Sequence, residues 1–239
     1  MCTLEKRGQL FILTFTGDGE HRLSPAVLDA IRSAVRRVRY DSSSSESVLI
    51  TTAEGKFFSN GYDLNLGKSD PSLLPVMDAK LRSVVADLIS LPMPTIAAVT
   101  GHASAAGFIL AMSHDYVLMR RDRGFLYMSE LDIDLVIPEW FMALIRLKIG
   151  SPAAKRDVVL TAEKMTATAA VEMGIVDSAH GSAVETVEAA VRLSEDLVRR
   201  GFDGHVYGQI REMVLREVLD VIGSREPASS EVRNTGSKL

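Results

Sequence analysis

The sequence predicts an α/β fold: a parallel sheet covered by helices, followed by a helical C-terminal region. Three observations carry this reading. Short apolar runs recur with little polar alternation, as strands buried on both faces require. Segments of helical periodicity separate them, which is the arrangement that makes neighbouring strands parallel. From about residue 139 onward helical patterns dominate.

The elements follow in order. LFILTF at 10–15 and VLITT at 48–52 read as buried strands. Between them Val27, Leu28, Ile31, Val35 and Val38 repeat at helical spacing. Ser24 suits the N-cap of that helix and Pro25 its first position. The serine run in 41–47 reads as a polar loop. A helix over 78–90, carrying Leu81, Val84, Val85, Leu88 and Ile89, stops before Pro92 and Pro94. TIAAVT at 95–100 is a third strand, 101–107 a small-residue turn, and 108–113 an apolar helix. Strands are expected at 116–119 and 125–128, then helices at 139–149, 152–160 and 166–173. Ser151-Pro152 caps the second of these, and Gly174 ends the third. Two longer helices, 184–200 and 205–222, complete the pattern. The division expected is an α/β core over 1–175, a helical region over 176–222 and a polar, flexible tail over 223–239.

Composition narrows the class. The 239 residues are 46% hydrophobic and 24% charged, ordinary for a globular chain that needs neither disulfide nor metal to hold its core. A net charge of -4 argues against a nucleic-acid partner. Arg32, Arg36, Arg37 and Arg39 fall at helical spacing and read as a solvated helix face. Cys2 is the only cysteine, so no internal disulfide forms and a reducing compartment is expected. No apolar run reaches the length of a membrane span, and 1–8 lacks the apolar core of a secretory signal. The chain ends in Ser237-Lys238-Leu239, the tripeptide read as a peroxisomal address by an import receptor.

Two loops suggest chemistry. Lys56 to Leu64 (KFFSNGYDL) follows the second strand, and Gly101 to Gly107 (GHASAAG) follows the third and opens a helix. Neither has the glycine spacing of a Walker or dinucleotide loop. Small residues at a helix start leave N–H groups open to a ligand, and the helix dipole adds partial positive charge. Two such groups from separate loops can form an oxyanion hole for a thioester carbonyl. On spacing alone, tight turns made for packing explain the same residues. His102 and His114 lack the partners and spacing of a metal site, and none is expected. Ser104 lacks the G-x-S-x-G elbow of a serine hydrolase. Met112, Met119, Met128 and Met142 read as core fillers.

Phe58-Ser59-Asn60-Gly61-Tyr62-Asp63-Leu64 resembles the first loop motif of the crotonase (enoyl-CoA hydratase/isomerase) family. Pro94 to Gly107 resembles the second, with Ala105 and Ala106 where glycines are common. The run from Ala162 to Asp177 resembles a third segment, so the likeness extends over about 8–222. It implies a crotonase-like β-β-α superhelix core and a C-terminal trimerisation region, assembled as homotrimers or hexamers. It implies an acyl-CoA thioester substrate and no separate cofactor, CoA being part of the substrate. The oxyanion hole would use the backbone N–H groups of Tyr62 and Ala106. Ser59, Asn60, Gly61, Asp63, Leu64 and Gly107 would line the substrate.

Carboxylates decide the reaction within such a family. Hydratases use two glutamates; here Ile109 stands at the first position and Glu130 at the second. One carboxylate suits a 1,3-proton shift, removing a proton at C2 and returning it at C4, whereas water addition needs two groups on one water. The resemblance therefore implies a Δ3,Δ2-enoyl-CoA isomerase. Glu139 is a second candidate base, reached by a one-residue slip past Pro138; it also suits a helix N-terminus. Another acyl-CoA reaction, such as hydrolysis or decarboxylation, and a non-catalytic CoA-binding role are the alternatives.

Overall fold

A computed structural model describes residues 1–17, 19–42 and 46–224. The expected tail from 225 on, and Ser43–Ser45 of the serine loop, lie outside the described residues. The chain opens with a hairpin, β1 (Cys2–Arg7) and β2 (Leu10–Phe15), turned at Gly8. Helix α1 (Pro25–Asp41) crosses to β3 (Val48–Ala53). Short β4 (Phe57–Ser59), α2 (Leu64–Ser69) and α3 (Leu73–Ile89) follow. The pattern then repeats as β5 (Thr95–Val99), β6 (His102–Ser104) and α4 (Ala106–Met112). It repeats again as β7 (Tyr116–Arg120), β8 (Leu126–Tyr127) and a 3-10 turn at Leu131–Ile133. The remainder is α5 (Glu139–Lys148), α6 (Pro152–Val159), α7 (Ala167–Glu172), β9 (Ser178–His180), α8 (Ala183–Arg199), α9 (Gly204–Val214) and α10 (Arg216–Gly223).

Two sheets result. The larger runs β1-β2-β3-β5-β7-β9, parallel except for the β1–β2 hairpin. The smaller runs β4-β6-β8, all parallel. Each long strand of the β3, β5, β7 series thus feeds a short strand of the second sheet. Because the short strands are parallel neighbours, their C-terminal ends lie side by side.

The core explains the unbroken apolar runs. Alternate residues of the large sheet serve opposite faces. Val48, Ile50, Ile96, Ala98 and Leu118 pack with Ala189, Ala190 and Leu197 of α8. Leu49, Ala97, Val99, Val117 and Met119 face the larger cluster beneath α1, α3 and α4. With both faces of β3, β5 and β7 covered, these strands have no exposed positions that would give a polar alternation. Met112, Met119 and Met128 are buried in that cluster and Met142 packs against it, as fillers should.

Local caps are as the residue types foretell. Ser24 accepts from Val27 N at 3.3 Å and Ser151 from Ala154 N at 3.3 Å. Gly174 has φ +68° just past α7. Several elements differ from expectation. Strand β1 was unmarked because it is an edge, with Glu5, Lys6 and Arg7 exposed. β4, β6 and β9 have three residues each, too few to show a period. Helix α3 starts at Leu73 rather than 78, since Pro75 is tolerated in a first turn. The helix expected over 205–222 is two helices, broken at buried Leu215. The arginines of α1 do more than face solvent: Arg32 and Arg36 both reach Asp87 Oδ2, at 2.8 and 2.9 Å, tying α1 to α3.

Candidate active site

Three chain segments converge at the ends of the short strands. Tyr62, Ala106 and Glu130 each lie two or three residues past the last residue of β4, β6 and β8. Strand pairing therefore brings together residues far apart in sequence. The two glycine loops pack directly on each other. A Cβ built on Gly61 would lie 3.1 Å from Ala105 Cβ and 3.4 Å from Ala106 N. A Cβ on Gly107 would lie 2.3 Å from Ser59 O.

Each loop has identifiable anchors. Buried Ser59 donates to His21 O at 2.8 Å. Asn60 donates its amide N–H to Glu20 O at 2.9 Å and its side-chain nitrogen to Glu20 Oε2 at 3.1 Å. Gly61, at φ +72°, accepts from Leu23 N at 2.8 Å. Asp63 caps α2, accepting from Asn65 N at 3.2 Å and Leu66 N at 3.3 Å, and half-buried Leu64 is the first residue of that helix. Ala105 N donates to Tyr127 O at 2.7 Å, which joins the second loop to β8. Among the described residues neither Tyr62 N–H nor Ala106 N–H donates to another protein group. Ala106 opens α4, where amides lack intrahelical acceptors and the dipole is positive.

Ala105 carries backbone strain. Its φ of 51° and ψ of -123° suit glycine, not a residue with a Cβ. Ala105→Gly should raise stability by about 1 kcal/mol, the strain relieved less the entropy that glycine adds to the unfolded chain. A lower urea midpoint for this variant would show that packing of the Ala105 Cβ outweighs the strain.

The two candidate bases occupy contrasting surroundings. Glu130 is only 6% exposed, and its Oε2 is buried without a hydrogen-bond partner among the described residues. Burial pushes its carboxyl up to about 7, partly offset by a hydrogen bond from its own backbone N–H. Its position is held by the turn after it: Glu130 O accepts from Ile133 N at 3.2 Å and Leu135 N at 2.9 Å. Tyr127 donates to Asp132 across the same turn, and that bond raises the phenol to about 12. Glu139 lies in the first turn of α5, its side chain exposed and paired with Arg146. Ile109 is fully buried in α4.

The two histidines have different surroundings. His114 is buried, its Nδ1 donating to Leu110 O at 3.0 Å and its Nε2 accepting from Thr51 Oγ1 at 2.8 Å. Burial lowers it to about 4, so it stays neutral. His102 makes tilted ring contacts with Phe57 and Phe125 at the start of β6.

A family model described as enoyl-CoA hydratase/isomerase matches residues 20–218. The chain belongs to the enoyl-CoA hydratase/isomerase family. Among curated members of the family, it is 73% identical to "Enoyl-CoA delta isomerase 1, peroxisomal" of Arabidopsis thaliana, over 100% of both chains. It is 50% identical to "Enoyl-CoA delta isomerase 2, peroxisomal" of the same plant, over 93% of this chain and 95% of that one. Among solved structures, the probable enoyl-CoA hydratase EchA3 of Mycobacterium tuberculosis superposes with a TM-score of 0.84 at 21% identity. That match covers 92% of this chain and 91% of the other. The crotonase-like fold expected from the loop motifs is thus the fold of the family.

Sequence reasoning missed the polar network behind the first loop. Tyr62 Oη donates to Asp78 Oδ1 at 3.0 Å, as does Trp140 Nε1 at 2.9 Å, while Arg82 Nε donates to Asp78 Oδ2 at 2.6 Å. The one tryptophan of the chain was the available signal, since a buried indole N–H needs an acceptor.

Proposed function

We propose that this chain is a Δ3,Δ2-enoyl-CoA isomerase, converting 3-enoyl-CoA to 2-trans-enoyl-CoA in fatty-acid β-oxidation. The carrying observation is one buried carboxylate, Glu130, with a free oxygen and a pKa near neutrality, beside two loops with open N–H groups. Glu130 takes a proton from C2, and the electron pair left there delocalises onto the thioester oxygen. Tyr62 N–H and Ala106 N–H stabilise that enolate. The electrons return to form the C2–C3 double bond, the C3–C4 pair accepts the proton at C4, and Glu130 is a carboxylate again. Ser59, Asn60, Gly61, Asp63, Leu64 and Gly107 shape the cleft through the anchors described above.

The near-neutral carboxyl supports Glu130 as the base, because a general base works best with a pKa near the working pH. Glu139, exposed and paired with Arg146, fits the helix-end role instead. Buried Ile109 offers no second proton carrier. With a 3-enoyl-CoA, ultraviolet absorbance of the conjugated thioester should rise, and hydration of 2-enoyl-CoA should be slower by at least about 10². Equal rates for the two reactions would overturn the single-carboxylate mechanism.

The setting is the peroxisome, as the name of the 73% identical relative has it. Ser237-Lys238-Leu239 is the proposed address for an import receptor. Deleting those three residues should leave an active enzyme in the cytosol, and continued import would refute the address. Assembly as a homotrimer or hexamer is supported by the apolar stripe of α9, where Val206, Ile210, Met213 and Val214 are exposed. Among the described residues no helix is long and apolar enough to cross a membrane.

A further inference from the structure

We infer that Asp78 is a positioning residue: through the Tyr62 hydroxyl it holds the Tyr62 N–H in the direction the oxyanion needs. The inference rests on the isomerase reading and assigns a role to a network that the proton-transfer steps leave unused.

Gly61 directly precedes Tyr62 in the first loop. Its φ of +72° and lack of a Cβ make it a loose joint immediately before the donor amide. The peptide between Gly61 and Tyr62 is held on one side by Leu23 N, 2.8 Å from Gly61 O. Among the described residues the N–H on the other side has no protein partner, so its direction is set by what holds Tyr62. The tyrosine ring is a rigid lever with two side-chain torsions, and its far end is fixed 3.0 Å from Asp78 Oδ1. Ring contact with Phe141, at 6.3 Å between centroids, restrains it further.

Asp78 is itself held by two further donors. Trp140 of α5 donates to the same oxygen at 2.9 Å, and Arg82, one turn along α3, donates to the other at 2.6 Å. Arg82 also donates to Val221 O of α10 at 3.1 Å and lies over the Trp140 ring. Asp78 is 25% exposed and Arg82 11%, so the ion pair is largely shielded from solvent. Its position is therefore better defined than that of an exposed pair. A tie made only to hold α3 against α5 would not need the tyrosine hydroxyl. That hydroxyl links the network to the loop that bears the donor.

The test compares wild type, Tyr62→Phe, Asp78→Asn and Asp78→Ala. Turnover of a 3-enoyl-CoA is measured together with the absorption band of a bound aryl-conjugated enoyl-CoA, which moves to longer wavelength as its carbonyl is polarised. Tyr62→Phe removes one oxygen and keeps the ring. It should lower kcat about 10-fold, less than outright loss of an oxyanion donor, with KM within about twofold. The bound band should shift back toward that of the free thioester. Asp78→Asn, which still presents an acceptor, should retain more activity than Asp78→Ala. If folded Tyr62→Phe keeps wild-type kcat and band position, the inference is overturned, whatever its melting temperature. If Asp78→Ala does not fold, Tyr62→Phe decides alone. A wild-type protein that polarises the thioester without isomerising it refutes the isomerase reading, and the Tyr62→Phe band still decides this one. A wild-type protein that does neither refutes both.

Discussion

Glu130→Gln should lower turnover of a 3-enoyl-CoA by on the order of 10²–10⁴-fold, the contribution expected of a general base, with thioester binding nearly kept. Glutamine preserves the size of the side chain and removes only the carboxylate proposed as the base. Glu139→Gln should leave turnover within about twofold and cost at most a few tenths of a kcal/mol at the start of α5. The reverse pattern would move the base to Glu139. In the wild type, kcat/KM should rise with pH and level off above about 7, because the carboxyl must be ionised to accept the C2 proton.

The same substitution should also stabilise the protein, in a pH-dependent way. The Glu130 carboxyl sits at about 7 in the folded chain against an ordinary 4.5, so between those values the folded state holds a proton that the unfolded state has lost. Stability therefore falls as pH rises through that window. Above about pH 7 the full cost of the buried charge is present, at most on the order of 3 kcal/mol. Glutamine carries no such charge. The melting temperature of Glu130→Gln relative to wild type should thus be higher at pH 8 than at pH 5. A difference that does not change with pH would mean that Glu130 is not desolvated as described.

Gly107→Ala should damage both activity and stability. The added Cβ would lie 2.3 Å from Ser59 O and 2.7 Å from Ser59 Cβ, and main-chain atoms of a buried strand have little room to yield. Overpacking of this kind costs about 1–3 kcal/mol. The start of α4 must then move away from β4, carrying Ala106 N–H away from Tyr62 N–H. A shift of about 1 Å in a catalytic donor is enough to lower turnover 10²-fold. Gly150→Ala is the control, since its Cβ would meet nothing within 4 Å. Gly107→Ala with wild-type kcat would show that the contact between the two loops does not set the geometry of the site.

How far the sequence could be read depended on how local the governing interaction is. Ser24, Ser151 and Thr166 cap helices through hydroxyls that reach amides three residues on, and the residue types announce this directly. The buried strands were readable because both faces of the large sheet are covered, so their apolar runs are uninterrupted. β1 could not be read because an edge strand can remain polar. β4 and β6 could not because three residues do not establish a period, although these two strands deliver the two loops to each other.

From sequence alone came the family-like loops, the missing first glutamate at Ile109 and the short list of Glu130 and Glu139. The surroundings of those two carboxylates were decided only in three dimensions. Glutamate has the same chemistry at both positions, and what separates them is water. At Glu130 the packing of β8 and the turn after it excludes solvent and raises the pKa, whereas at Glu139 an exposed helix end leaves the carboxylate hydrated and paired. The Asp78 network is of the same kind. Tyr62, Asp78, Arg82 and Trp140 come from a loop and two helices, and only folding brings their donors to one carboxylate. Desolvation and convergence are properties of the packed chain, so no local pattern of residues can announce them.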